Sequence, residues 1–202
     1  MKKELANPLQ ALILTAGKLP AKTGETDRFH ARFSSAGTGI VILADVSGSM
    51  DEPAGGRRKI DVLRAALVGV WPELPGASLL AFSDRVTRLS SPAELPAPSG
   101  ATALHLALDA AAQARPAKTL VISDGQPDAA AAALASADRL PGRIDVIYCG
   151  PDSDKEAIAF MYRLARVGGG SVVVRDVARE SRPQLGGAIR AALGLPAPIN
   201  KE

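Results

Sequence analysis

Cysteine, aromatic residues and long apolar runs are scarce in this sequence, and each scarcity excludes a class of protein. The single cysteine, Cys149, cannot form a disulfide within the chain and lies in the apolar stretch RIDVIYCG, which predicts a small buried side chain. Aromatic residues make up 3% of the chain, whereas single-stranded nucleic acids bind to surfaces on which aromatic rings stack. No apolar run approaches the length of a membrane-spanning helix. We therefore expect a cytoplasmic protein that binds neither nucleic acid nor membranes.

The first 36 residues differ from the rest of the chain in charge. Of the 24 basic and 21 acidic residues, six basic and three acidic ones precede residue 37, and the remainder balance at 18 of each. The apolar stretch from Ala11 to Leu14 is too short for a signal peptide, but Leu5, Leu9 and Leu12 share one face of a helix. We predict an N-terminal extension over 1–36, with an amphipathic helix that packs on the domain, a domain over 37–195, and a tail over 196–202.

The pattern after residue 39 predicts the fold class. Short apolar runs alternate with amphipathic or alanine-rich helical segments, as is typical of a mainly parallel sheet with helices on both faces. We predict a Rossmann-like, three-layer, doubly wound α/β fold with about six strands. One of these, around Val86 and Leu89, is a short antiparallel edge strand. The other predicted strands are Ile40–Ala44, Ser78–Phe82, Thr119–Ile122, Ile144–Tyr148 and Ser171–Val174; the predicted helices are Lys59–Trp71, Thr102–Arg115, Asp128–Arg139, one capped by Ser153 that ends at Val167, and one that begins near Ser181 and ends at Gly194.

Three polar loops are predicted to meet at one edge of this sheet. DVSGS, from Asp45 to Ser49, follows the first strand, SGAT leads to Thr102, and SDG carries Asp124. In open parallel sheets the ligand crevice lies beyond the carboxyl ends of the strands, where the strand order reverses. We therefore expect these loops to form one site.

The predicted site offers only oxygen ligands. Asp45 and Asp124 supply two negative charges, and Ser47, Ser49 and Thr102 supply neutral hydroxyl groups. A set without cysteine or histidine does not favour zinc, whereas hard cations prefer oxygen. Mg²⁺ keeps several waters, so an incomplete protein shell suits it. We predict Mg²⁺ at this site, with Mn²⁺ and Ca²⁺ as alternatives.

Together the three motifs resemble the metal-ion-dependent adhesion site (MIDAS) of von Willebrand factor type A domains. The resemblance extends from Ile40 to about Leu193, with all five positions in the expected order. It implies that Ser47, Ser49 and Thr102 ligate the metal, while the two aspartates bind directly or through water. It also implies that an Asp or Glu of a partner protein completes the coordination. Bacterial members of this kind often serve as adaptors for AAA+ ATPases or for stress-response and phosphorylation modules.

Several neighbours of the motifs are candidates for supporting roles. We expect Met50, Asp51 and Glu52 to shape a docking surface, and the stretch GGRRK, from Gly55 to Lys59, to form a flexible loop at the rim. Asp128 is predicted to begin a helix, because the helix dipole favours an acid there, and a supporting role at the site beside Asp124 is the alternative. His105 is expected to face solvent or to pack against the domain.

The alternative function is that of an Mg²⁺-dependent phosphatase of the haloacid dehalogenase type, with Asp45 as nucleophile. Such enzymes carry D-x-D after the strand, but Ser47 stands where the second acid would be. The motifs G-x-x-x-x-G-K-[ST] and G-x-S-x-G are also absent from the sequence, so nucleotide hydrolysis and acyl transfer lack their usual residues. We therefore expect a protein-interaction module rather than an enzyme.

Overall fold

The structure of the protein is a computed structural model that describes residues 32, 36–37, 39–179 and 182–196. The amphipathic helix predicted within 1–36 and nearly all of the predicted tail lie outside these residues. The N-terminal helix and the tail remain predictions. The fold described below is that of the described residues.

One six-stranded sheet forms the centre of the described chain. Its strand order is β5-β4-β1-β6-β7-β8, and every neighbouring pair is parallel except β4 and β5. The predicted sheet and its antiparallel edge strand are therefore confirmed. The strands of this sheet are β1 (Ile40–Asp45), β4 (Ser78–Phe82), β5 (Val86–Leu89), β6 (Lys118–Ser123), β7 (Arg143–Tyr148) and β8 (Val172–Val174), and a separate hairpin consists of β2 (Pro53–Ala54) and β3 (Arg57–Arg58).

Helices cover both faces of the sheet, as the alternating pattern predicts. The helices are α1 (Lys59–Val70), α2 (Leu104–Gln113), α3 (Ala130–Arg139), α4 (Lys155–Val167) and α5 (Arg182–Leu193). Helices α1 and α5 pack together on one face, while α2, α3 and α4 form the layer on the other. Among the helices of the described residues, none is both long and apolar enough to cross a bilayer.

Strand β1 shows why both faces are covered. Val41 and Leu43 pack into the core that contains α2, α3 and α4, whereas Ile42 and Ala44 pack into the core that contains α1 and α5. Side chains alternate across a strand, so a run that is apolar at every position must be buried on both sides. Cys149, which follows β7, is also buried, as predicted.

Three helix beginnings differ from the sequence-based prediction. Helices α2 and α3 begin at Leu104 and Ala130, two residues after the predicted Thr102 and Asp128. The cap of α4 is Asp154, whose carboxylate accepts a hydrogen bond from the backbone of Ala157 at 3.0 Å, and not Ser153. The capping-box pattern predicted the wrong cap, because the adjacent Asp154 competes with Ser153 for the same backbone N–H groups.

Arg32 binds to the folded domain at the ends of two helices. Its guanidinium donates hydrogen bonds to the carbonyl oxygens of Gly142 at 2.6 Å, Val167 at 2.9 Å and Ala137 at 2.8 Å. Ala137 and Val167 lie in the last turns of α3 and α4, where carbonyl groups lack helical partners and a cation is favourable. The charge of Arg32 therefore stabilises both helix ends.

The strand order reverses between β1 and β6. From β1 the chain proceeds outward to β4 and β5, and then returns to the opposite side of β1 to form β6, β7 and β8. The loops after β1 and β6 therefore diverge to opposite faces and leave a crevice at the carboxyl edge between them. Asp45 ends β1 and Asp124 directly follows β6, so both carboxylates lie at this crevice.

Candidate metal centre

The three loops predicted to form a site do meet at the carboxyl edge of the sheet. The backbone N–H of Gly48 donates to the carbonyl oxygen of Gly100 at 3.0 Å, and that of Ser99 donates to Val46 at 2.9 Å. Neighbouring parallel strands bring Ala44 of β1 opposite Ile122 of β6, which places the loops that follow them side by side. Backbone hydrogen bonds and strand register, rather than side-chain contacts alone, therefore hold the loops together.

Asp45 organises the loop that follows it. Its side chain is fully buried, with Oδ1 accepting the backbone N–H of Ser47 at 2.8 Å and Oδ2 accepting the hydroxyl of Ser123 at 2.5 Å. Both carboxylate oxygens are thus engaged by the protein. Asp45 fixes where Ser47 lies and joins β1 to the end of β6.

A chain of oxygen atoms leads from Ser47 to Asp124. The hydroxyl oxygens of Ser47 and Ser49 are 3.2 Å apart, and the hydroxyl of Ser49 donates to Oδ1 of Asp124 at 2.7 Å. Four of the five predicted residues therefore form one connected polar cluster, in which Asp45 holds the backbone of Ser47.

The backbone of Thr102 binds Asp128 rather than a residue of this cluster. Its backbone N–H donates to Oδ2 of Asp128 at 2.8 Å, and the N–H of Asp128 donates to the carbonyl oxygen of Thr102 at 3.3 Å. Within the described part of the chain, no hydrogen bond joins the Thr102 hydroxyl to the other four predicted residues. Asp128, expected to begin a helix, instead ties the Thr102 loop to the Asp124 loop.

Lys59 was not among the predicted site residues, yet its positively charged side chain binds to this cluster. Its ammonium donates to Oδ2 of Asp124 and to Oε2 of Glu52, each at 2.6 Å, and the side chain is only 5% exposed. Burial alone would lower the pKa of Lys59, but the hydrogen bonds and charges of Asp124 and Glu52 outweigh it and raise that pKa. The amine therefore stays protonated.

The stretch GGRRK is a hairpin and not the predicted flexible loop. Gly55 and Gly56 have φ of +57° and +80°, the left-handed conformation that a two-residue turn between antiparallel strands requires. The turn reverses the chain so that Lys59, the first residue of α1, points back into the site. Met50 also departs from its prediction, because it is fully buried in the core and shapes no docking surface.

The residues of the cluster fit a hard divalent cation. Among the described residues, no three His, Cys, Asp or Glu side chains lie close enough to hold a metal, so hydroxyls and water must supply part of any shell. Octahedral Mg²⁺ with bonds of about 2.1 Å places adjacent ligand oxygens about 3 Å apart. The Ser47 and Ser49 hydroxyl oxygens, 3.2 Å apart, match that spacing.

Protonation of Asp45 is expected to affect stability at mildly acidic pH. Burial raises the pKa of Asp45 from 3.8 to about 6, with a smaller contribution from the charge of Asp124, against hydrogen bonds from Ser123 and Ser47. The folded state then binds this proton more tightly than the unfolded state, so the unfolding free energy falls as pH rises from about 4 to about 6, by about 3 kcal/mol from this group. Urea denaturation in chelator across that range measures the effect.

Asp45→Asn provides the comparison for this pH dependence. Asparagine does not titrate, so the variant should lose the decline in unfolding free energy between these pH values. An identical pH slope in the two proteins would show that another group is responsible.

Comparisons with known proteins identify the fold. No protein-family profile matches the sequence, and no curated protein sequence is similar to it. Among solved structures, BatB from Bacteroides thetaiotaomicron is similar with a TM-score of 0.54 and 16% identity, over 78% of this chain and 100% of that one. The SpRpn10 VWA domain has a TM-score of 0.57 and 14% identity, over 79% and 99%. Manganese-loaded TRAP from Plasmodium vivax has a TM-score of 0.50 and 19% identity, over 65% and 63%. These likenesses show that the chain has the fold of a von Willebrand factor type A domain.

Proposed function

We propose that this protein is a metal-dependent protein-interaction module, in which Mg²⁺ at the carboxyl edge of the sheet accepts a carboxylate from a partner protein. The observation that carries the proposal is the connected set of oxygens from Ser47 through Ser49 to Asp124, at the point where the strand order reverses. Mn²⁺ and Ca²⁺ are alternatives with the same preference for oxygen, and the fold neighbour TRAP is described as manganese-loaded.

The hydroxyl groups of Ser47, Ser49 and Thr102 are the proposed direct ligands. Asp124 would hold the Ser49 hydroxyl, and Asp45 the backbone of Ser47, through the hydrogen bonds that they already make, and either carboxylate would bind the metal directly or through water. A cation bound mainly by neutral oxygens supplies an electrophilic centre that attracts an anionic ligand. The proposed partner is therefore a protein that presents an Asp or Glu side chain.

The position of Asp45 argues against the phosphatase alternative. A nucleophilic carboxylate must reach its substrate, but Asp45 is fully buried and both of its oxygens accept hydrogen bonds from Ser47 and Ser123. We therefore propose a binding role without catalysis. We also propose that the protein acts in the cytoplasm, as an adaptor for an AAA+ ATPase or for a stress-response or phosphorylation module.

Ser49→Ala tests the proposed function. Removal of this hydroxyl takes away a proposed ligand and the hydrogen bond to Asp124, so we expect at least about a tenfold loss of Mn²⁺ or Mg²⁺ affinity by calorimetry. In pull-downs from native lysate, partner capture by the full chain with Mg²⁺ should be lost in EDTA and lost again with Ser49→Ala.

Ser153→Ala is the matched control. Ser153 is exposed, and Asp154 rather than Ser153 caps the following helix, so this variant should bind metal and partner as the wild type does. Equal capture by all three proteins, with and without EDTA, would contradict a metal-bridged interaction.

A further inference from the structure

A buried ammonium group lies within the proposed metal centre. The Nζ atom of Lys59 is 2.6 Å from Oδ2 of Asp124, and the side chains of Lys59 and Asp124 are 5% and 0% exposed. The second contact of Nζ, Oε2 of Glu52, is also 2.6 Å away, but the Glu52 side chain is 61% exposed. Lys59 thus forms a buried ion pair with a residue of the proposed site and a second ion pair, weakened by water, with an exposed residue at its rim.

The backbone holds Lys59 in this position. The backbone N–H of Lys59 donates to the carbonyl oxygen of Glu52 at 3.0 Å, and the β2–β3 hairpin joins the two residues. Lys59 is also the first residue of α1 and therefore has little freedom to move as a whole. A divalent cation that enters the centre must share the Asp124 carboxylate with this ammonium.

The charges of the buried groups predict the consequence. Asp45 and Asp124 together contribute −2, and Lys59 reduces their sum to −1. A divalent cation then brings the sum to +1, and one carboxylate from outside would neutralise it. Without Lys59 the cation alone would balance the two aspartates, so the centre would attract an external carboxylate less strongly.

We propose that Lys59 is a built-in counter-ion of the centre, which satisfies Asp124 without metal, weakens binding of the bare divalent cation, and makes the loaded centre depend on an external carboxylate. Lys59 acts as a positioning residue, through its contact with Asp124. The inference rests on the proposed function, because it assumes that the cation binds at the oxygens of Ser47, Ser49 and Asp124. By linkage, a carboxylate ligand and the cation must strengthen each other's binding.

Mn²⁺ titration of Lys59→Met tests this role. Above the pKa of Asp45, loss of the ammonium removes repulsion of the cation and competition for Asp124, so we expect Mn²⁺ to bind the full-length variant on the order of tenfold more tightly than the wild type. Acetate, compared with chloride at equal ionic strength, should tighten Mn²⁺ binding by the wild type and have a smaller effect on Lys59→Met.

Lys155→Met is the matched control, because Lys155 also begins a helix but is exposed and, among the described residues, donates only to the carbonyl oxygen of Asp152. It should leave Mn²⁺ affinity unchanged. Circular dichroism verifies folding, and Lys59→Gln, which keeps a donor for Asp124, replaces Lys59→Met if the latter does not fold.

The outcomes separate this inference from the proposed function. Mn²⁺ binding by the Lys59 variant but not by the wild type, in acetate as well as in chloride, would support the weakening of cation binding by Lys59 and contradict metal-dependent binding by the natural protein. Binding by the variant that is no tighter than that of the wild type, including no binding by either, would overturn the inference.

Discussion

Asp124→Ala should lower the unfolding free energy by about 3 kcal/mol in chelator, because it leaves the Lys59 ammonium buried without its least exposed counter-ion. Addition of Lys59→Met to the same chain should recover more than about 1 kcal/mol, since the double variant no longer buries the ammonium without that counter-ion. Urea denaturation of the wild type, both single variants and the double variant gives the coupling energy of the pair.

A surface ion pair supplies the control for this cycle. Arg139 and Asp109 form a salt bridge at 3.1 Å, with side chains 64% and 50% exposed, so Asp109→Ala should cost less than about 1 kcal/mol. A loss of unfolding free energy in Asp124→Ala as small as that in Asp109→Ala would contradict a stabilising role of the buried pair. A double variant less stable than the wild type and both single variants would contradict it as well.

Gly150→Ala should destabilise the fold by about 2 to 3 kcal/mol and also abolish Mn²⁺ binding. A Cβ at Gly150 would lie 2.2 Å from the carbonyl oxygen of Asp124 and 2.5 Å from the hydroxyl of Tyr148. The Asp124 carbonyl is backbone and cannot rotate away, so the whole loop that presents the Asp124 carboxylate must shift. Denaturation and Mn²⁺ titration measure the two effects.

Gly125→Ala is the matched substitution for this prediction. Gly125 directly follows Asp124, but a Cβ there would meet no atom of the described residues within 4 Å, its chain neighbours apart. We expect a change in stability within about 0.5 kcal/mol and unaltered Mn²⁺ binding. Normal metal binding by a destabilised Gly150→Ala protein would show that the close contact supports the fold but not the centre.

Local patterns predicted most of the fold. β4 matches its predicted limits, and β1 extends one residue beyond them. These segments were predictable because a strand buried on both faces needs an unbroken apolar run, whatever its neighbours are. Helix beginnings were less predictable, because Thr102 and Asp128 bind each other across two loops instead of starting their helices.

The candidate site was partly predictable, because most of its residues are close in sequence or follow parallel strands. Asp45, Ser47 and Ser49 lie within five residues, and parallel strands bring Asp124 to the same edge from a distant part of the chain. The position of Lys59 in the site was not predicted, because a lysine after two arginines is typical of a solvated charged segment. Only the turn at Gly55 and Gly56 reverses that segment and directs Lys59 inward.

By itself, the sequence determined the α/β class, the order of strands and helices, and the oxygen-rich chemistry of the DVSGS loop, because these depend on local periodicity and residue type. The tertiary structure alone decided the charge of the centre. The burial of a lysine and the pairing of its ammonium with Asp124 depend on distances across the fold, which the chemistry of neighbouring residues does not specify.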